Sequence, residues 1–397
     1  LVEKLFAVSA PGLEAFTANE LRGLGLAASL PATQAGAGMD EESGGVAFEG
    51  GRREIYRANL WLRTASRVLV RLGEFSAVNF QELRKKAGRL EWERFLIPGQ
   101  SVTLRVTCRK SRLYHSDAVA ERLAGAIGDR LGKPPLLEPQ LAQNVPGELP
   151  EGQLAPILIV ARLLHDRCTI SVDSSGELLH RRGYRLATAK APLRETLAAG
   201  MLLAAGWEPA AALLDPFCGS GTIPIEAALI KLGIAPGRAR RFAFMDWPDF
   251  DGKLWETLLA EGQGNVPTGK ATILASDRDA GAIEAARSNA ERAGVSGEIE
   301  FTCRAVSDAL AGIPPGSGIG WVVTNPPYGV RVSADKDLRN LYARFGKALR
   351  EACPGWQVAI LCNDERLVRQ TGLRLDTSLS LVNGGVAVRL ARGVVGE

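Results

Sequence analysis

The chain has 397 residues, 46% of them hydrophobic and 23% charged, with a formal net charge of +4. That length supports two or three domains with real cores, and the balance is globular rather than disordered. No apolar run reaches membrane-spanning length, six scattered cysteines include no C-x-x-C pair, and three dispersed histidines offer no metal cluster. A membrane span, a disulfide framework and a metal site are therefore not expected.

The opening Leu1-Val2-Glu3-Lys4-Leu5-Phe6-Ala7-Val8 is too short and wrongly flanked for a signal peptide. It reads as a first strand, Lys4–Ser9, in a protein expected in the reducing cytoplasm and taken as a monomer. A helix near Leu13–Leu24 follows, then Gly/Ala-rich turns and a strand around Gly44–Phe48. Further expectations are helix Arg52–Ser66, strand Val68–Leu72, helix Phe80–Ala87, strand Ser101–Cys108 and helix Ser116–Leu131 with Ser116 as N-cap. A proline-rich surface loop, Pro134–Pro156, precedes strands Pro156–Arg162 and Cys168–Asp173.

Residues 1–190 hold 26 Lys and Arg against 21 Asp and Glu, a modest excess. Arg105, Arg109, Lys110 and Arg112 stand with Tyr114 and His115 at a helix N-terminus, a geometry that suits phosphate. A solvated basic edge accounts for the same spacing equally well. With this order of elements, Leu113-Tyr-His-Ser-Asp-Ala-Val-Ala-Glu-Arg-Leu123 resembles the THUMP domain of RNA-modifying enzymes. Residues 1–60 resemble the ferredoxin-like segment that accompanies it. The resemblance implies RNA binding by the front half, to which Arg182 in the connector Ser174–Lys190 is added.

Behind the connector, a helix opens with Pro192 in its first turn, and Leu213–Leu214 closes a strand. Asp215-Pro216-Phe217-Cys218-Gly219-Ser220-Gly221-Thr222 then leads into helix Ile223–Leu232. Strand, Gly-x-Gly loop and helix place backbone N–H groups and a positive dipole end beside a ligand, and glycine permits close approach. The loop lacks the third glycine of a dinucleotide fingerprint and the Lys-Ser/Thr of a P-loop. Asp215 suits a ligand's ammonium group. Asp277, ending strand Thr272–Ser276, suits ribose hydroxyls, with Asp279 as a helix N-cap. Residues 234–271, rich in Arg, Phe and Trp, read as a surface insertion that could touch substrate. After strand Ile299–Cys303, the Asp308 carboxylate could accept an adenine amine or simply form a turn.

Trp321–Thr324 reads as a buried strand, stopped by Pro326 and Pro327. Its tip offers two acceptors, the Asn325 side-chain oxygen and the Pro326 carbonyl, and the Tyr328 ring. Two acceptors on an aromatic amine favour a pyramidal nitrogen, while Tyr328 can stack on the base. The bland alternative is a turn after a core strand. A helix Asp335–Ala352, a strand Gln357–Cys362 and a hairpin turning on Asn383-Gly384 end the chain.

The alternation over residues 212–362, with Asp215–Thr222 and Asn325–Tyr328 in cofactor-first order, resembles S-adenosylmethionine-dependent amino methyltransferases. Including Arg182-Gly-Tyr-Arg185, Ala191-Pro-Leu-Arg-Glu195 and Ala243–Trp247, the chain resembles the bacterial THUMP-containing RNA guanine-N2 methyltransferases acting on 23S rRNA; a sister group acts on tRNA. The implied fold class is α/β: a Rossmann-like class I methyltransferase sheet with an antiparallel terminal strand, preceded by α+β ferredoxin-like and THUMP segments. The implied boundaries are 1–60, 61–173, a linker 174–190, and 191–397.

The resemblance puts S-adenosylmethionine on Asp215, Pro216, Cys218, Gly219, Ser220, Gly221, Thr222, Asp277, Glu195 and Thr196, and catalysis on Asn325, Pro326, Pro327 and Tyr328. Family members often carry an acid or amide near Ala305, and its absence moves the adenine contact to Asp308. A DNA adenine-N6 methyltransferase, a protein glutamine methyltransferase and a non-catalytic RNA-binding factor are the competing readings.

Overall fold

A computed structural model describes residues 2–30, 44–139, 155–185, 193–261, 272–311, 318–328 and 335–396. The chain forms two compact units, one of residues 1–9, 17–179 and 240–260, the other of 10–16, 180–239 and 261–397.

The first unit is built on strands β1 (Glu3–Ser9), β2 (Ala28–Ser29), β3 (Gly45–Gly50), β4 (Ala65–Ser76), β5 (Ser101–Arg109), β6 (Leu136–Leu137), β7 (Ile157–Leu164) and β8 (Arg167–Asp173). They join in one sheet, in the order β2-β3-β1-β4-β8-β7-β5-β6. Several sequence expectations change. The helix from Arg52 stops at Trp61, because β4 already begins at Ala65. His115 is the cap position of helix Ser116–Leu131 and makes no side-chain cap bond, so Ser116 is the first helical residue. The short strands β2 and β6 lie in stretches read as turn and loop, each too brief to carry a period. Part of the proline-rich loop, residues 140–154, lies outside the described residues, as does Pro192.

Over residues 240–260 the Arg/Phe/Trp segment is core rather than a surface insertion, while residues 262–271 lie outside the described residues. Phe242, Phe244, Trp247 and Trp255 are buried. Phe244 stacks on Tyr56 with ring centroids 4.2 Å apart, and Trp247 meets Phe95 edge-on at 4.8 Å. The Tyr56 hydroxyl accepts from the Asp251 N–H at 3.0 Å. Aromatic pairs of this kind add to area burial, and here they make residues 240–260 part of the first unit's core.

The second unit carries β9 (Leu213–Asp215), β10 (Ile273–Asp277), β11 (Ile299–Cys303), β12 (Trp321–Thr324), β13 (Gln357–Cys362), β14 (Asp376–Asn383) and β15 (Val386–Val394). Their order is β11-β10-β9-β12-β13-β15-β14. The first five strands run parallel, and β15 pairs antiparallel with β13 and β14. The inner strands β9, β12 and β13 bury both faces and are near-continuously apolar, whereas the edge strand β11 alternates, with Glu300 exposed between buried Ile299 and Phe301. Val323 and Leu361 belong to one apolar cluster, while Val322, Val358 and Ile360 belong to the cluster on the opposite face. The strand order reverses between β9 and β12, and the crevice beyond the carboxyl ends at such a point is where open sheets bind ligands.

Candidate active site

Sheet register brings the two motifs together. Leu213 and Leu214 of β9 pair with Trp321 and Val322 of β12, so Asp215 and Thr324 end adjacent strands. Thr324 Oγ1 donates to Asp215 Oδ1 at 2.7 Å, and the Phe217 N–H donates to the same oxygen at 3.2 Å. Asp215 is only 1% exposed, and burial pushes its carboxyl up to about 7 despite the Thr324 bond and the Phe217 N–H, which pull it down.

Beyond Asp215 the chain turns through Gly219 and Gly221, with φ of +51° and +83°, into helix Thr222–Lys231. Only glycine adopts such angles routinely. A Cβ at Gly221 would sit 3.0 Å from the Ala286 Cβ, whereas one at Gly219 would meet nothing within 4 Å. The loop is therefore tight against helix Ala280–Arg292 and open beside Gly219. Pro216, Cys218 and Thr222 are buried, and Ser220 is partly exposed. Burial also pushes the Cys218 thiol far up, so it stays protonated.

Asp277, at the end of the neighbouring β10, accepts from the Gly219 N–H on Oδ2 and from the Asp279 N–H on Oδ1, each at 3.0 Å. Asp279 caps helix Ala280–Arg292 as expected. Asp308 lies in the first turn of helix Val306–Ala311 rather than in a loop, with its side chain exposed. Asp308, Asp277, Gly219 and Asn325 thus follow β11, β10, β9 and β12 along one edge.

At the β12 tip, Pro326 is buried, and Asn325, Pro327 and Tyr328 are partly so. Asn325 Oδ1 is buried and has no hydrogen-bond partner among the described residues. A buried acceptor left unpaired costs about 1–3 kcal/mol, so the position suits an incoming donor. The Tyr342 hydroxyl lies 3.4 Å from the Pro327 carbonyl, and Asn383 Nδ2 donates to the Tyr328 hydroxyl at 3.0 Å.

Glu195 and Thr196 are 3% and 5% exposed. Glu195 reaches the loop through Arg185, which lies 3.4 Å from its carboxylate and donates to Thr222 Oγ1 at 2.5 Å. Arg182, expected on RNA, is 4% exposed, with its Nε 3.6 Å from Glu226 Oε1. A guanidinium drawn into a protein interior by a buried carboxylate cannot also reach a phosphate. Of the other candidate RNA contacts, Arg109, Lys110 and Arg112 are exposed, and Arg105 is half-buried.

Sequence reading missed Asn289, which is 2% exposed and donates from Nδ2 to the Ser220 carbonyl at 3.0 Å. Its signal is an amide on the same helical face as Ile283, Ala286 and Ala290. Thr324 and Asn383 were missed as well. The arrangement fits S-adenosylmethionine: open space beside a positive-φ glycine, carboxylates at the ends of β9 and β10, and, just after β12, an acceptor unpaired among the described residues.

Three family models match in succession: an RlmL ferredoxin-like domain over residues 4–69, a THUMP domain over 77–173, and an RMKL-like methyltransferase domain over 182–391. A Synechocystis protein described provisionally as an RNA methyltransferase is 36% identical, over 98% of this chain and 95% of its own length. A ribosomal RNA large subunit methyltransferase K/L of Syntrophotalea carbinolica is also 36% identical, over 99% of this chain but 54% of its own length. The chain thus spans about half of that relative. Among solved structures, a chain designated SMU.472, described provisionally as a methyltransferase and complexed with S-adenosylhomocysteine, superposes with a TM-score of 0.82 at 32% identity, covering 98% of this chain and 97% of that one.

Proposed function

The chain belongs to the family of THUMP-bearing, RMKL-like methyltransferases, and from that premise we propose that it methylates the exocyclic N2 of a guanine in 23S ribosomal RNA. Family membership makes it an S-adenosylmethionine-dependent RNA methyltransferase; the target atom and the particular RNA are the proposal.

The observation that carries it is the buried Oδ1 of Asn325, unpaired among the described residues, at the strand-order reversal. With the Pro326 carbonyl it supplies two acceptors for the two hydrogens of an aromatic amine. Held this way, the nitrogen pyramidalises and its lone pair turns out of the ring. Bound beside Gly219, S-adenosylmethionine supplies a sulfonium methyl group that needs no activation by the protein. Asp215, Asp277 and the Gly219–Gly221 backbone bind and orient it, with Asp308 placed for the adenine amine. Tyr328 would give the base a stacking face, and the proline-stiffened corner would hold its amine nitrogen in a fixed orientation. No general base is required before attack, because the ammonium formed is acidic enough to lose its proton to water or a loop carbonyl. Alignment and exclusion of water supply most of the acceleration. The exposed Arg109, Lys110 and Arg112 contact RNA phosphates.

The test is incorporation of labelled methyl from S-adenosylmethionine into 23S rRNA, tRNA and duplex DNA, followed by mass mapping of the product nucleoside. N2-methylguanine in 23S rRNA is the expected result. Label confined to tRNA or DNA, or on another atom, refutes the assignment.

A further inference from the structure

Reading Asn383-Gly384 as the hairpin turn assigns the asparagine to backbone conformation, but Asn383 is still in the ladder. It pairs with Val386 as the last rung of β14 and β15. The two turn residues are Gly384 and Gly385, with φ of +57° and +86°, the pair of left-handed residues that a tight two-residue hairpin needs. The Asn383 side chain is thus not consumed by the turn.

Its amide goes to the active-site corner. β12 is parallel to β13, β13 antiparallel to β15, and β15 antiparallel to β14, so β14 ends on the same edge of the sheet as β12. From there Asn383 Nδ2 donates to the Tyr328 hydroxyl at 3.0 Å. The Tyr328 ring packs against both apolar clusters of the unit, and the carbonyl just before it lies 3.4 Å from the Tyr342 hydroxyl. The chain just before the ring and the phenol tip are each held, the tip by a residue of the edge strand β14, three strands from β12.

We infer that Asn383 is a positioning residue for methyl transfer: by gripping the phenol oxygen it fixes the plane of the Tyr328 ring on which the target base stacks. This rests on the reading of Asn325–Tyr328 as the base site. Without the grip the ring still fills its place but pivots about χ1 and χ2. Fewer bound bases then present the amine in line, and small misalignments of reacting atoms are costly in rate. RNA affinity, which comes largely from phosphate contacts, changes little.

The test compares the full chain with Asn383→Ala, Tyr328→Phe and the double variant. Each single change is expected to lower kcat roughly tenfold, with the RNA KM and the S-adenosylhomocysteine Kd within about twofold of the unaltered chain, since neither binding surface loses a contact. Both act through one hydrogen bond, so the double variant should be no slower than the slower single one. Unchanged kcat in Asn383→Ala, or losses that multiply, overturns the role. A second readout is independent of activity: with tyrosines labelled at Cζ, the resonance missing in Tyr328→Phe should move in Asn383→Ala while the others stay. A resonance that does not move removes the contact itself. If it moves but the unaltered chain methylates no RNA, the base-site reading falls, and the positioning role with it.

Discussion

Thr324 Oγ1 donates a 2.7 Å hydrogen bond to Asp215 Oδ1, joining the strand that ends in Asn325 to the strand that opens the glycine loop. The carboxylate is 1% exposed, and burial holds its pKa near 7, against 3.8 ordinarily. The folded chain therefore keeps a proton on Asp215 over a range where the unfolded chain has lost it. Stability from this group is fully present below about pH 4 and is lost as pH rises through 7. A rise of that size corresponds to roughly 4 kcal/mol. Asp215→Asn should flatten this part of the pH dependence, and Thr324→Val should deepen it by removing a donor to the charged form. Denaturant unfolding at pH 5 and pH 8 measures both. An Asp215→Asn variant with the slope of the unaltered chain would sink the argument.

The two loop glycines should fail differently. Alanine at either is strained by about 1–2 kcal/mol, since both have positive φ. At Gly221 the methyl also presses on Ala286 at 3.0 Å, so Gly221→Ala should lower the melting temperature more. At Gly219 the methyl projects into open space, so Gly219→Ala should lose only the strain term, a smaller drop in melting temperature than Gly221→Ala, yet weaken S-adenosylhomocysteine binding by about tenfold or more, the equivalent of about 1.4 kcal/mol. Calorimetry that finds equal affinity in Gly219→Ala would mean the cofactor lies elsewhere.

The site's outline was legible because its parts are local: an apolar run, a Gly-x-Gly loop, a strand-terminal acid and a proline pair each declare themselves within a few residues. What holds those parts was not. Thr324, Asn289 and Asn383 act on residues that are distant in sequence but close across the sheet, and nothing in their own neighbourhoods marks the partner. The aromatic segment 240–260 misled for the same reason. Its rings look exposed until Tyr56 and Phe95, far back in the chain, are seen packed against them. Arg182 belongs to this class too, because an arginine is normally a surface residue unless a buried acid such as Glu226 claims it.

That last pair makes Arg182 and the exposed cations separable by experiment. Arg182→Ala leaves Glu226 buried without its neighbouring charge, a defect that costs about 3–5 kcal/mol. Any variant that folds should bind RNA with the salt dependence of the unaltered chain. Alanine at Arg109, Lys110 or Arg112 should leave stability within about 0.5 kcal/mol and reduce the slope of log K against log salt by about 1 per lost phosphate contact. Filter binding across a salt series distinguishes the cases, and a changed slope in Arg182→Ala would return that residue to the RNA surface.

Asn325→Ala is the sharpest test of the chemistry. The side chain's Oδ1 is buried and unpaired among the described residues, so removing it relieves a desolvated acceptor, and stability should hold or rise slightly. The residue that anchors the cofactor loop to its neighbouring strand, Asp277, is untouched, with its bond to the Gly219 N–H intact. S-adenosylhomocysteine should therefore bind within about twofold of normal, since no cofactor contact is lost. Transfer, in contrast, loses one of the two acceptors that aim the amine lone pair, and should fall by at least about a hundredfold, the scale of a misaligned attack. Single-turnover kinetics on the RNA substrate measure this directly. A variant that is stable, binds cofactor and still transfers methyl at the normal rate would remove Asn325 from the mechanism.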